Sequence, residues 1–255
     1  MKTKQEIAQN WLSRYTGLPL EQFAKHIILV NFGEYLNKFS ERFNVPVSGK
    51  DRPMQCATTK DITIINFGMG SPNAATIMDL LSSISPESVL FLGKCGGTRK
   101  CELGDLILPI GAIRGEGTSN DYFPPEIPAL PAFNLQKAAS TAIRDAHTDY
   151  WTGTIYTTNR RVWEYDEKFK DYLRKTRCLG VDMETATLFI TGFANRIPTG
   201  ALLLVSDQPM TPEGIKTESS DRLVSQAFTQ RHFDIGIDTV YQLINNGITV
   251  KHLHF

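Results

Sequence analysis

The sequence predicts an α/β sandwich with a largely parallel or mixed central sheet, and three observations lead there. Short apolar, β-branched runs recur along the 255 residues, the runs are continuous rather than alternating, and helical patterns lie between several of them. A strand that is apolar at every position must be covered on both faces. Strands that alternate with helices supply that cover, giving a three-layer α/β/α sandwich.

In chain order, residues 1–25 read as a helical N-terminal extension, and the first strand is "HIILVNF" at 26–32. "DITIINFG" (61–68) is the second run. Ser71-Pro72 opens a helix as a cap residue followed by Pro at the first helical position, with Ala74, Ala75, Ile77, Met78, Leu80, Leu81 and Ile84 as its apolar face. "SVLFLG" (88–93) and "DLILPIGAI" (105–113) are further strands. Segment 114–165 is richer in Gly, Pro, Thr and Tyr and is expected to supply loops and less regular strands. A helix starts near Asp182 and carries Ala186, Leu188, Phe189 and Phe193. "TGALLLVSD" (199–207) is the last strand, and a long helix follows from about Ser220 to Asn246, with Gly247 placed to end it. Without an internal repeat or a linker, one domain over 1–255 is the economical reading.

Composition removes several function classes. Lys plus Arg and Asp plus Glu are 27 each, so no basic face for nucleic acid or an anionic membrane is implied, and an anionic ligand needs a local cluster of cations. Cys56, Cys95, Cys101 and Cys178 form no CxxC pair and have no His at zinc-ligand spacing, which reads as four small buried hydrophobes rather than a metal site. The opening residues lack an apolar h-region, and no run approaches the ~20 apolar residues of a membrane span. A soluble, reduced, cytoplasmic protein is expected.

In open α/β sheets the ligand sits beyond the carboxyl ends of the strands. That rule selects Gly68–Pro72, Gly93 onward, and Ser206-Asp207. "GKCGG" (93–97) has neither GxGxxG nor GxxxxGK[ST] spacing, and its default reading is a tight turn, although three glycines allow close backbone approach and Lys94 adds a cation. "GVDMETAT" (180–187) puts Asp182 and Glu184 at a helix start, where carboxylates commonly do no more than offset the helix dipole. Asp207 ends a very apolar strand. Partial desolvation there raises a carboxyl pKa and suits it to donate a proton; an Asp capping the next turn is the plain alternative.

Taken together, "GMGSPNA" (68–74), "FLGKCGG" (91–97), "RGEGTSNDYFPPEIPALP" (114–131), "GTIYTTNRRVWE" (153–164), "GVDMETAT" and "LLLVSDQPMTPEGIK" (202–216) resemble the nucleoside phosphorylase and nucleosidase superfamily, from about Ile27 to Gly247. The "PPEIP", "TTNRRVWE" and "EGIK" segments point to its AMP-cleaving branch. The resemblance implies a nucleoside phosphorylase-like fold and cleavage of the bond from a base to ribose C1′ through an oxocarbenium-like transition state. It implies that Asp207 protonates or hydrogen-bonds purine N7, that Glu184 grips the ribose hydroxyls with Met183 against the sugar, and that Trp163 stacks on the base. A core Trp is the alternative for that residue.

Phosphorylases of this superfamily hold phosphate with two Arg and a Ser, against which Asn37, Phe91 and Lys94 stand here. An amide and a phenyl ring cannot replace forked guanidinium recognition, so water is the expected attacker. A 5′-phosphate would be met by Lys94, Lys216 and Arg52, the last matching a family Arg that reaches into the neighbouring subunit's site; Arg114, Arg160 and Arg161 are held in reserve. Gly93 and Ser206 complete the expected binding set, and Glu34 is a candidate base for the water. The expected reaction is hydrolysis of AMP to adenine and ribose 5-phosphate, without cofactor or metal, in a homo-oligomer, by resemblance a hexamer. Long members of the branch carry a large N-terminal region, whereas about 25 residues precede the first strand here, so nucleotide allostery is not expected. Two readings stay open: a phosphorylase or nucleosidase of unphosphorylated nucleosides, and a nucleotide sensor without turnover.

Overall fold

The structure is a computed structural model that describes residues 2–98 and 100–246. The first helix, α1 (Lys4–Thr16), is held by a capping box in which Thr3 and Glu6 satisfy each other's backbone N–H groups. Then follow β1 (His26–Val30), α2 (Gly33–Phe43), β2 (Gln55–Thr58), β3 (Ile62–Asn66), α3 (Ser71–Leu81), β4 (Ser88–Gly97) and β5 (Leu106–Gly115). The remainder is α4 (Phe133–Asp145), β6 (Trp151–Thr158), α5 (Glu167–Thr176), β7 (Gly180–Asp182), α6 (Thr185–Ala194), β8 (Thr199–Asp207) and α7 (Glu218–Asn246).

Helices cover both faces of the sheet, as the continuous apolar strands require. Along β1, Ile27 and Leu29 enter a core shared with α1, α3 and α6, while Ile28 and Val30 enter a second core shared with α2, α4 and α7. The sheet is mixed, in the order β2-β3-β1-β4-β7-β6-β5-β8, and β8 also pairs with β4, which rolls five of the strands into a closed loop. Among the described residues no helix is long and apolar enough to cross a membrane. All four cysteines are buried thiols.

Several expectations need correcting. "GKCGG" is no turn: it is the second half of β4, held by β8 on one edge and by β7 at Gly96 and Gly97. Segment 114–165 contains α4 and the eight-residue β6. Half of the buried positions of α4 are alanines (Ala138, Ala139 and Ala142) and another is Gln136, beside Leu135 and Ile143, a helical stripe too weakly apolar to stand out. In α3, Gly70 is the cap and Ser71 the first helical residue, because the Ser71 hydroxyl is engaged elsewhere, donating to the Met183 carbonyl at 2.7 Å. Asp182 ends β7 rather than starting α6. Gly247 lies outside the described residues.

One topological feature positions the site. Along one edge of β4, the partner is β1 from Ser88 to Leu92 and then β7 at Gly96 and Gly97. Between them, from Gly93 to Cys95, β4 changes partner. Such switch points leave a crevice at the strand ends, and the crevice opens here.

Candidate active site

The crevice brings together residues that are far apart in the chain. Asp207 stands on the β8 side of β4. The register shifts there, so that Cys95 faces Val205 but Gly96 faces Asp207, leaving Ser206 as the extra residue of a bulge. A bulge redirects side chains, and this one turns Asp207 into the cleft. Ser206 Oγ donates to Asp207 Oδ1 at 2.7 Å. A methyl group on Gly96 would come within 2.7 Å of Pro209 and 3.2 Å of Asp207 Oδ2, so only glycine lets β4 pass beneath this carboxylate. Burial pushes the Asp207 carboxyl above its ordinary range, against smaller downward pulls from Ser206, Lys216 and Arg161.

Glu184 enters from the other edge. Asp182 and Glu184 divide the work that the sequence left undecided. Asp182 is the structural member: it accepts from Thr157 Oγ1 at 2.7 Å and from the Thr185 backbone N–H at 2.7 Å, steadying the first turn of α6. Glu184, at the cap position of α6, accepts from the Gly70 N–H at 2.7 Å and the Met183 N–H at 3.2 Å, and both carboxylates line the cleft. Gly70 has φ +94°, a left-handed geometry open to glycine, and this aims its N–H at the carboxylate. Glu184 is 2% exposed, and burial with the neighbouring Asp182 raises its pKa to about 8.

A pair of lysines lies at one end of the cleft. Lys94 Nζ sits 4.9 Å and Lys216 Nζ 5.4 Å from the centre of the Phe32 ring, so the two cations share one aromatic platform. Lys216 is 2.8 Å from Asp221, and Lys94 is 4.0 Å from both Asp221 and Glu34 and donates to Ser225 Oγ at 3.1 Å. Burial lowers the Lys94 pKa, partly offset by those carboxylates.

Of the other expected residues, Met183 and Trp163 line the cleft. Trp163 is also packed edge-on to Phe169, with ring centres 5.4 Å apart, so it is cleft wall and core residue at once. Glu34 is not among the residues that line the cleft: it stands in the first turn of α2, a third exposed, 4.0 Å from Lys94 Nζ. Gly93 is also off the cleft. A methyl group there would lie 2.4 Å from Phe91, so this glycine serves packing. Phe91 is fully buried with its ring against Phe67, and Asn37 is exposed on α2, so neither position borders the cleft. Arg52 is exposed beside the Gly17–Gly49 contact and does not reach its own chain's cleft.

Of the reserve arginines, Arg114 is consumed by structure, donating to the Phe123, Pro124 and Ile127 carbonyls. Arg160 and Arg161 line the cleft and are paired with Asp166 (2.9 Å) and Glu164 (3.5 Å). Asn31 and Phe32 were not singled out, although they follow β1 and the strand-end rule would have found them.

The phosphorylase superfamily profile matches residues 25–239. The chain belongs to the phosphorylase superfamily. Superfamily members similar to it include the AMP nucleosidase of Escherichia coli K12, 28% identical over 92% of this chain and 58% of that protein. The chain thus spans somewhat more than half the length of that relative. A guanosine phosphorylase of Halorubrum lacusprofundi is 30% identical over 66% of this chain and 69% of its own length. Among solved structures, the AMP nucleosidase of Bacteroides thetaiotaomicron VPI-5482 superimposes with a TM-score of 0.86 at 56% identity, covering 96% of this chain and all of that one. Purine nucleoside phosphorylase of Toxoplasma gondii, at 16% identity and a TM-score of 0.79, shares the fold.

Proposed function

We propose that the chain is an N-glycosyl hydrolase that converts AMP and water to adenine and ribose 5-phosphate. The observation that carries this reading is that Asp207 and Glu184, from opposite edges of β4, line one cleft that also holds Lys94 and Lys216. Similarity to the Bacteroides AMP nucleosidase over nearly the whole chain supports the choice of substrate.

In this mechanism the purine lies toward Asp207 and Trp163. As the bond to C1′ stretches, negative charge grows on the base and positive charge on the sugar. A carboxyl whose burial favours the protonated form gives its proton to N7, a step worth about 10²–10⁴ in rate. Glu184 receives the ribose hydroxyls, and Met183 packs on the sugar. Lys94 and Lys216 meet the 5′-phosphate, joined by Arg52 of a neighbouring subunit in a cytoplasmic homo-oligomer, by resemblance a hexamer. Similarity to the Bacteroides AMP nucleosidase supports water over phosphate as the attacker; Asn37 and Phe91 lie off the cleft and do not bear on that choice.

One observation favours a neutral nucleoside instead: both lysines already have carboxylate partners in Glu34 and Asp221. Incubation with AMP, adenosine and methylthioadenosine, with and without inorganic phosphate, decides between them. Adenine and ribose 5-phosphate should form from AMP at a rate independent of phosphate. Phosphate-dependent cleavage of unphosphorylated nucleosides would overturn the proposal, and binding without turnover would make the protein a sensor.

The lysines supply a separate check. Charge-assisted hydrogen bonds are worth about 1.5–3 kcal/mol each, so Lys94→Met with Lys216→Met should raise KM for AMP at least ~10–100-fold. Residual cleavage of adenosine should hardly change. Equal losses on both substrates would show that the lysines do not read the phosphate.

A further inference from the structure

Glu164 is a cleft carboxylate that the mechanism above leaves unused. It follows Trp163 in the chain, and the two line the cleft together with Asp207. A tight turn fixes its place: the Asp166 N–H donates to the Trp163 carbonyl at 2.8 Å, and Glu164 Oε2 accepts from the Trp163 N–H at 2.9 Å. The other oxygen, Oε1, has a long contact of 3.5 Å from Arg161. A carboxylate oxygen offers two lone pairs, so Oε1 keeps room to accept. The side chain is 14% exposed, open enough to touch a ligand in the cleft and shielded enough for that contact to count.

The edge of the purine says which donor fits. Adenine sets an acceptor, N7, beside a donor, the 6-amino group, whereas a 6-oxopurine presents two acceptors, N7 and O6. The mechanism places N7 at Asp207 and the ring on Trp163. The position next to N7 then needs an acceptor for a 6-aminopurine and a donor for a 6-oxopurine. The cleft wall supplies a carboxylate on the residue after Trp163, and its charge is felt at Asp207. We propose that Glu164 selects a 6-aminopurine, Oε1 accepting a hydrogen bond from the exocyclic amine while Asp207 serves N7. This rests on the reading above, which puts the base between Asp207 and Trp163, and adds what tells one purine from another. An O6 atom in the same place would face the carboxylate with no proton between them, so both acceptors would stay unpaired. Arg161, a cleft donor that could meet O6, has its guanidinium turned to Glu164.

Three nucleotides read this edge: AMP, inosine 5′-phosphate, and purine riboside 5′-phosphate, which carries only hydrogen at position 6. Comparing each variant with wild type on all three cancels their intrinsic reactivities. Glu164→Leu removes the acceptor at similar volume. Its kcat/KM for AMP should fall about 10–100-fold, the worth of one charge-assisted hydrogen bond, with that for purine riboside 5′-phosphate changed less than about threefold. Glu164→Gln can still accept from the Trp163 N–H, so it should fold even if the leucine variant does not. Its amide adds a donor, and the preference for AMP over inosine 5′-phosphate should shrink at least about tenfold. Parallel losses on AMP and purine riboside 5′-phosphate would show that Glu164 only holds Trp163, and overturn the proposal. So would an unchanged AMP-to-inosine 5′-phosphate ratio in the glutamine variant. Calorimetry with the free bases makes the comparison without cleavage. A wild-type protein that leaves AMP intact yet binds adenine at least about tenfold tighter than hypoxanthine loses the hydrolase reading and keeps this one; equal affinities for the two bases sink this one alone.

Discussion

Asp207→Asn should lower kcat for AMP by about 10²–10⁴ while leaving nucleotide affinity within a few-fold. The amide keeps the shape and can still accept from Ser206 Oγ, but it has no proton to give. A ribose 5-phosphate substrate whose leaving group departs as a stable anion needs no such proton and should be largely spared. That contrast separates loss of an acid from general damage to the cleft. The pH dependence follows from the raised pKa: the acid form is the active one, so kcat/KM should hold at low pH and fall as pH rises through the Asp207 pKa. Adenine release and calorimetric affinity measure both quantities. Cleavage unaltered in the variant would end the assignment of Asp207 as the acid.

Glu184→Gln should combine a large loss of activity with a gain in stability at alkaline pH. The carboxyl pKa is raised from 4.5 to about 8, mainly by burial, so the fold prefers the neutral form. Its contribution to stability is complete below about pH 4.5 and is lost as pH climbs through about 8, where folding must hold a buried charge. A neutral amide escapes that loss. It also forfeits one acceptor, since Gln cannot take hydrogen bonds from both the Gly70 and Met183 N–H groups. The net expectation is a Tm about 2–6 °C higher than wild type at pH 8.5, with the advantage vanishing near pH 5. Activity should fall about 10²-fold or more through weaker hold on the ribose. A variant less stable than wild type at pH 8.5 would mean that the carboxylate is stabilised by partners rather than strained by burial.

Much of the architecture was legible because it rests on local signals. Runs such as "HIILV", "TIIN" and "LLLV" can be little else but doubly covered strands, and helices of strongly apolar composition such as α3 and α6 announce themselves. Elements whose signal is weak escaped. Of the six buried residues of α4 three are alanine and one is Gln136, and β7 is three residues held by its neighbours β4 and β6. Likewise the glycines of "GKCGG" look like a turn in isolation, and become strand because β8 and β7 offer backbone partners on either edge.

The same division runs through the site. Asp207, Glu184, Met183, Trp163, Lys94 and Lys216 were found from strand ends and motif resemblance, and they do share one cleft. The sequence could not apportion Asp182 and Glu184, two carboxylates one residue apart, because only packing turns one toward Thr157 and Thr185 and the other toward Gly70. Nor could it exclude Gly93 or Glu34 from the cleft, or show that Arg114 is spent on carbonyls 123, 124 and 127.

By itself, then, the order of residues determined the α/β class, the covered strands and the kinds of group available at their carboxyl ends, since these depend on periodicity and on chemistry carried by single side chains. The tertiary structure alone decided where β4 exchanges β1 for β7, which carboxylate is taken up by Thr157 and Thr185 and which by Gly70 and Met183, and that Asn31 holds a buried acceptor without a partner. The physical reason is that burial, hydrogen-bond partnership and pKa are properties of a side chain's surroundings. Those surroundings are assembled from segments more than a hundred residues apart.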